Sequence, residues 1–213
     1  MPKRDNISMS VIRRLPRYYR FLKHLRGKGV TRISSTELSS KLGLTASQIR
    51  QDLNCFGGFG QQGYGYIVDQ LCDEIANILG LSNAYKAILI GAGNLGRAIA
   101  SHISFEGQGF ELAGIFDNSP QKVGTTINGH TVMDVSKIDE FCKSEKPVMA
   151  VFCVPREAVS ALTEHLYDLG IRNFWNFSHY DISMKYPDTL VENVHLNDSL
   201  MTLCYRISNP AEN

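Results

Sequence analysis

The stretch AILIGAGNLGRAIA, residues 87–100, constrains the fold more than any other part of the chain. Ala87–Ile90 is a short apolar run that suits a strand buried on both faces. It runs into Gly91, Gly93 and Gly96 in GxGxxG register, and a segment with helical apolar spacing follows. Three spaced glycines are a weak signal alone. Here they separate a strand from a helix, and a second apolar strand ends at Asp117, where the dinucleotide fingerprint places its ribose ligand. Gly91 suits the tight turn, Gly93 the close approach of a pyrophosphate, and Gly96 the packing of helix on strand. Together with Ala92, Asn94 and Leu95 they form a loop and first helical turn whose amides and partial positive charge favour an anion. Asp117 would accept hydrogen bonds from ribose hydroxyls and repel a 2′-phosphate. Asn118 and Ser119 follow it rather than an arginine, which favours NAD(H) over NADP(H).

The rest of that region alternates strand and helix. Strands are expected at Ala87–Ile90, Leu112–Phe116, Val148–Val154 and Phe174–Phe177, with helices at Leu95–Ser104, Val135–Lys143 and Arg156–Leu169. Such alternation implies an α/β fold, a Rossmann-like doubly wound parallel sheet.

The formal charge of +1 hides a division. Residues 1–60 hold twelve Lys or Arg against three acids, a charge of +9, and the remainder carries −8. A basic third joined to acidic two-thirds points to a polyanion-binding module attached to a different one. Val11–Lys28 has the spacing of a basic amphipathic helix, with Ile12, Leu15, Tyr19, Leu22 and Leu25 inward and a kink or late start at Pro16. Thr31–Ile33 suits a short strand. Ser34 and Glu37 form a capping box for one helix, Gly43 ends it, and Thr45 caps the next. GGFGQQGYGY then reads as a tight hairpin, and a linker helix runs from Val68 to Leu79. This is the order of a winged helix-turn-helix.

With Ile49 at the centre of the buried face, Ser47, Arg50, Gln51 and Asn54 fall opposite it, and Gln48 at the flank. Their side chains carry the donors and acceptors that read base edges. Arg13, Arg14, Arg17 and Arg32 suit phosphates. The partner expected is double-stranded DNA. The five cysteines form no CxxC and no histidine lies at zinc-ligand spacing, so reduced, mostly buried thiols and no metal are expected. No apolar run reaches the ~20 residues of a membrane helix, and the polar, basic start is unlike a signal peptide, so a cytoplasmic protein without membrane contact is expected.

RLPRYYRFL, TASQIRQDLNCFGGFGQQGYGY, GAGNLGRAI, the FD strand end, VPRE and VENVHLNDSL occur in this order across nearly the whole chain. In them the chain resembles the redox-sensing repressor family Rex. The resemblance implies a homodimer on a palindromic operator, released by NADH and permitted by NAD⁺, with a C-terminal helix swapped onto the partner. The stripe Leu196, Leu200, Leu203 and Ile207 suits that helix. Residues 1–84 would bind DNA and include the linker helix, 85–195 would bind NAD(H), and 196–213 would dimerise. Val154 and Pro155 would join the cofactor site, and Gln62 and Tyr64 of the wing would reach DNA. The family commonly carries Lys at the position of Gln51 and Lys-Arg at Gln61-Gln62, so base preference and minor-groove contact would differ here. An Arg, a Tyr and an Asp couple the domains in some members. Alignment places Arg20, His102 and His195 at those positions, so an Arg–Asp attraction is absent, and packed neutral histidines are favoured over a pH switch.

The rival expectation is an NAD-dependent dehydrogenase. It needs a substrate site with an acid/base residue and an anion-binding Arg. About 85 residues go to the winged helix and linker and about 110 to the Rossmann fold, leaving no room for a substrate domain. His165, His179 and Arg156 show no catalytic pattern, so no catalytic residues are assigned. A Rossmann module for CoA or another nucleotide is a third possibility, against which Asp117 argues for a ribose diol.

Overall fold

The structure is a computed structural model that describes residues 7–57, 59–61 and 64–210. The chain divides into two compact units, residues 1–82 and 83–213.

In the first unit the basic N-terminal run forms two helices rather than one, α1 (Met9–Ile12) and α2 (Leu15–Gly27). Pro16 lies in the first turn of α2, where its missing N–H costs nothing, so the sequence takes the late start. The fully buried aromatic is Tyr18, 2% exposed, in a stripe with Leu15 and Leu22; Tyr19, which the spacing places inward, is half-buried and packs against the edge of the same core. Next come β1 (Arg32–Ile33), α3 (Ser35–Leu42) and α4 (Ala46–Asn54). Ser34 Oγ accepts from the Glu37 N–H at 3.1 Å and Glu37 Oε2 from the Ser34 N–H at 2.8 Å, which completes the capping box. Gly43, at φ 60°, ends α3 in the left-handed region. Thr45 Oγ1 then accepts from the Gln48 N–H and starts α4. β2 (Gly60–Gln61) and β3 (Gly65–Ile67) form the hairpin, and β1 pairs antiparallel with β3 to make a three-stranded sheet. α5 (Val68–Leu79) packs its Leu71, Cys72 and Ile75 into a core with Leu15, Leu22, Leu38, Ile49 and Leu53.

The second unit contains β4 (Tyr85–Ile90), α6 (Asn94–His102), β5 (Phe110–Asp117), β6 (Thr126–Ile127), β7 (His130–Asp134), α7 (Ile138–Glu145), β8 (Met149–Phe152), α8 (Arg156–Asp168), β9 (Asn173–Asn176), β10 (Leu190–Asn193) and α9 (Leu196–Ser208). Its seven-stranded sheet has the order β10-β9-β8-β4-β5-β7-β6. All neighbours are parallel except the edge pair β6 and β7. Period-two alternation divides the core between the faces: Ala87 and Leu89 pack with Ile99, Ile115 and Val151, whereas Ile88 and Ile90 pack with Phe116, Val159 and Leu166. Both faces are therefore covered, as a parallel sheet requires. The chain goes from β4 to β5 on one side and later returns to β8 on the other. The direction of winding thus reverses between β4 and β8, and the carboxyl ends of these strands flank a crevice of the kind that binds ligands in doubly wound sheets. None of the residues of α9 is buried.

Candidate functional site

The loop after β4 opens at this crevice. Gly91 has φ +103°, and its N–H donates to the Phe116 carbonyl at 2.8 Å. A Cβ there would lie 2.4 Å from the Cys153 carbonyl oxygen and 2.9 Å from a Val154 methyl, so the end of β8 closes over the turn. A Cβ at Gly96 would lie 1.8 Å from the Gly91 carbonyl oxygen, which is how tightly α6 sits on its own turn. Gly93 is different: its φ is −73° and a Cβ would meet nothing within 4 Å. Its lack of a side chain is not needed for the fold, and it leaves the mouth of the loop open. Gly93 caps α6 without a side-chain hydrogen bond, so the first-turn amides beginning at Asn94 and Leu95 remain as donors. Asn94 and Leu95 have exposed side chains, Ala92 is buried, and Pro155, exposed, precedes α8 across the crevice.

Asp117 ends β5 beside this loop but is only 5% exposed. Its Oδ2 accepts from the Ala92 N–H at 2.7 Å and from Lys122 Nζ at 3.1 Å, and its Oδ1 from the Ser119 N–H at 2.8 Å. Burial would raise its pKa, but the bonds from Ser119, Lys122 and Ala92 outweigh it and hold the carboxyl below the usual carboxylate range. Three of about four acceptor positions are occupied, and the carboxylate also clamps the glycine loop. Lys122, five residues beyond Asp117, is a cation close to the site, and it is paired with that carboxylate.

In the first unit, Ser47, Arg50, Gln51 and Asn54 are exposed on α4 while Ile49 and Leu53 are buried. Arg50 donates to Ser35 Oγ at 3.0 Å. Arg13, Arg17 and Arg32 are exposed, and Arg32 donates to the carbonyl of Tyr64, itself 69% exposed. Gln62 lies outside the described residues. Two of the residues expected at DNA also bond within the unit. Arg14 is committed through Nε at 2.6 Å and Nη2 at 2.7 Å to Asp52, and Gln48 Nε2 donates to the same carboxylate at 2.8 Å. Tyr18 OH completes the set at 2.6 Å. Asp52, 1% exposed, is the residue the sequence did not single out.

Arg20 is exposed on α2, and His102, exposed, ends α6. His195 precedes α9, half-buried, and stacks on His179 with ring centroids 5.2 Å apart and planes 7° apart. Its Nδ1 is buried without a hydrogen-bond partner among the described residues. Cys72 and Cys142 are buried and Cys153 half-buried, but Cys55 and Cys204 are exposed, so fewer thiols are sheltered than expected. Burial pushes the Cys153 thiol up to about 12, which makes it a poor redox centre. Among the described residues no cluster of three His, Cys, Asp or Glu could hold a metal, and no helix is long and apolar enough to cross a membrane.

A basic winged helix-turn-helix joined to a doubly wound sheet with a dinucleotide crevice defines a nucleotide-responsive DNA-binding regulator. Residues 6–54 match the family model described as "Putative DNA-binding protein N-terminus", and residues 82–180 match that of the CoA binding domain. The chain is 50% identical over 208 residues to the redox-sensing transcriptional repressor Rex of Thermoanaerobacter pseudethanolicus, covering 98% of this chain and 92% of that one. It is 49% identical to the repressor of the same name from Clostridium perfringens strain SM101, covering 98% of each. Two solved structures are similar throughout. RSP in complex with β-NAD⁺ and operator DNA has a TM-score of 0.88 at 50% identity, covering 96% of this chain and 94% of that one. RSP in complex with β-NADH has a TM-score of 0.87 at 47% identity, covering 96% and 95%. The chain belongs to the Rex family of redox-sensing transcriptional repressors. These relatives bear the name of a regulator and not of an enzyme.

Proposed function

We propose that this chain binds a palindromic operator as a homodimer in the cytoplasm and leaves it when NADH occupies the crevice, so that transcription follows the NADH/NAD⁺ ratio. The observation that carries this is the open mouth at Gly93 above the uncapped start of α6, at the winding reversal of the sheet. It occurs in a chain 50% identical to a repressor solved with both β-NAD⁺ and operator DNA.

In this proposal the backbone of residues 91–96 holds the pyrophosphate, and Asp117 uses its remaining acceptor position on the ribose. Val154 and Pro155 border the nicotinamide side. Residues 1–84 serve DNA, with Ser47, Gln48, Arg50, Gln51 and Asn54 at bases, Arg13, Arg14 and Arg32 at phosphates, and Gln62 and Tyr64 at the wing. Residues 85–195 serve the dinucleotide. The exposed stripe Leu196, Leu200, Leu203 and Ile207 of α9 is 51–70% exposed and fits a swap onto the partner's dinucleotide unit. Arg20, His102 and His195 couple the two functions, without an Arg–Asp ion pair.

The test is operator binding titrated separately with NADH and with NAD⁺. NADH should release the operator at concentrations where NAD⁺ leaves it bound. Equal effects of the two nucleotides would overturn the proposal.

A further inference from the structure

On α4, Gln48 lies between the buried side and the exposed side that carries Gln51 and Ser47, and Asp52 lies one turn further on the buried side. Asp52 collects four hydrogen bonds: two from Arg14, one from Tyr18 and one from Gln48. Arg14 caps α2 and Tyr18 lies within it, so the carboxylate ties the start of α2 to the middle of α4. A buried carboxylate would be costly unless paired, and here every donor is a long or rigid side chain fixed by it in return.

We infer that Asp52 is a positioning residue for operator selectivity: it fixes the side-chain amide of Gln48 for a base edge and holds Arg14 at the border of the DNA-facing surface, without itself touching DNA. The inference rests on the proposal that α4 is the recognition helix. An unconstrained glutamine amide can present its oxygen or its nitrogen at a given place. With Nε2 drawn to Asp52, only one orientation of the amide remains. One N–H is used, and Oε1 and the second N–H are left for a partner. That acceptor–donor pair complements the N6 and N7 edge of adenine in the major groove. Arg14 spends Nε and Nη2 on Asp52, which leaves Nη1 as a donor at a side chain that is still 28% exposed. Gln48 would therefore discriminate between bases, and Arg14 would hold phosphate without discrimination.

Two further facts support a fixed arrangement. Burial would raise the pKa of Asp52, yet the bonds from Arg14, Tyr18 and Gln48 hold it below the usual carboxylate range, so it stays charged through the neutral region. Burial, and then the bond to Asp52, push the Tyr18 hydroxyl well above its ordinary value, so it remains a donor.

The test uses the full-length protein and compares affinity for operator and for random duplex at one salt concentration. Asp52→Asn and Gln48→Leu should each lower the operator-to-random ratio by about tenfold, the value of one well-made base contact, with the double variant no worse than either single one. NADH affinity should be unchanged in all three. Equal losses on both DNAs, or losses that add in the double variant, would show that Asp52 only supports the fold. If Asp52→Asn does not fold, Gln48→Leu decides, since it leaves the bonds of Asp52 to Arg14 and Tyr18 in place. An unchanged ratio in that variant overturns the inference. Arg50→Ala distinguishes the two levels. If it lowers the ratio while Gln48→Leu does not, α4 still reads DNA and only the Asp52 inference fails. If neither variant lowers it, the recognition-helix proposal fails as well.

Discussion

At the scale of single residues, the glycines of the loop do different work, and substitution separates them. Gly93→Val places its Cβ in open space at an ordinary φ, so the fold should tolerate it, while the added bulk stands where the proposed pyrophosphate would approach. NADH affinity should fall by more than about tenfold, the equivalent of losing roughly one charge-assisted hydrogen bond, with the thermal midpoint close to wild type. Gly96→Ala should do the reverse and lower the thermal midpoint, because its Cβ would meet the Gly91 carbonyl oxygen at 1.8 Å. Isothermal titration and thermal unfolding of both variants check the pair, and a destabilised Gly93→Val with normal affinity would contradict it. Asp117 supplies a pH dependence. Its folded pKa is depressed, so the stability it contributes is complete above the unfolded carboxylate value, near pH 4, and is lost as pH falls through the lower folded value. The single tryptophan, Trp175, lies in β9 of the same unit and reports on it. Urea midpoints followed by its fluorescence should be flat from pH 6 to 8 and fall below about pH 4. Asp117→Asn should lower the plateau and flatten the acid limb.

At the scale of elements, what could be read in advance follows from burial. β4, β5, β8 and β9 contain short apolar runs because both of their faces are covered, and such runs stand out in a sequence. β6, β7 and β10 did not stand out. They are two to five residues long, and the outer strands β6 and β10 expose half or more of their residues, so they lack the continuous apolar run that marks a buried strand. The exposed face of α4 was legible because one buried centre fixes the helical phase. Asp52 was not, although the same phase places it near Ile49, because an acid on a polar helix is ordinarily solvated. Its burial depends on Arg14 and Tyr18, 38 and 34 residues away in the chain. α9 is the element whose sequence makes sense only beyond one chain. Leu200, Leu203 and Ile207 are 65%, 51% and 70% exposed. Hydrophobic side chains repeated along one helix and left in water invite a second surface. Truncation before Asn197 removes all three and should convert the dimer to monomer at micromolar concentration, as read by analytical ultracentrifugation. The truncated chain should keep its unfolding midpoint by Trp175 fluorescence to within a few degrees once the dimer contribution is allowed for, since no residue of α9 is buried in its own subunit. A truncated protein that remains dimeric would place the main interface elsewhere.

At the scale of the whole molecule, a basic unit proposed to hold DNA and an acidic unit proposed to hold a dinucleotide must exchange free energy for one to sense the other. A ligand shifts a conformational equilibrium only by its differential affinity for the two states. In the proposed site NADH and NAD⁺ would share the pyrophosphate and ribose contacts at residues 91–96 and Asp117, so these residues would supply affinity and not discrimination. Discrimination has to arise at the nicotinamide, neutral in NADH and cationic in NAD⁺. Burying the cationic ring against apolar groups without a partner is costly, whereas the neutral ring can be enclosed. A dimer that closed over the ring would therefore favour NADH, and closure would alter the spacing of the two α4 helices, which in the proposed reading must match successive major grooves. Linkage then fixes a quantity. The factor by which NADH weakens operator binding must equal the factor by which the operator weakens NADH binding. A typical coupling of 1–3 kcal/mol makes that factor roughly 5- to 150-fold. NADH affinity measured with and without saturating operator, set against operator affinity measured with and without saturating NADH, should return the same ratio. NAD⁺ should give a ratio nearer to one, or inverted. An NADH affinity indifferent to operator would mean that the two units do not communicate, and nucleotide binding could then not regulate transcription through this chain.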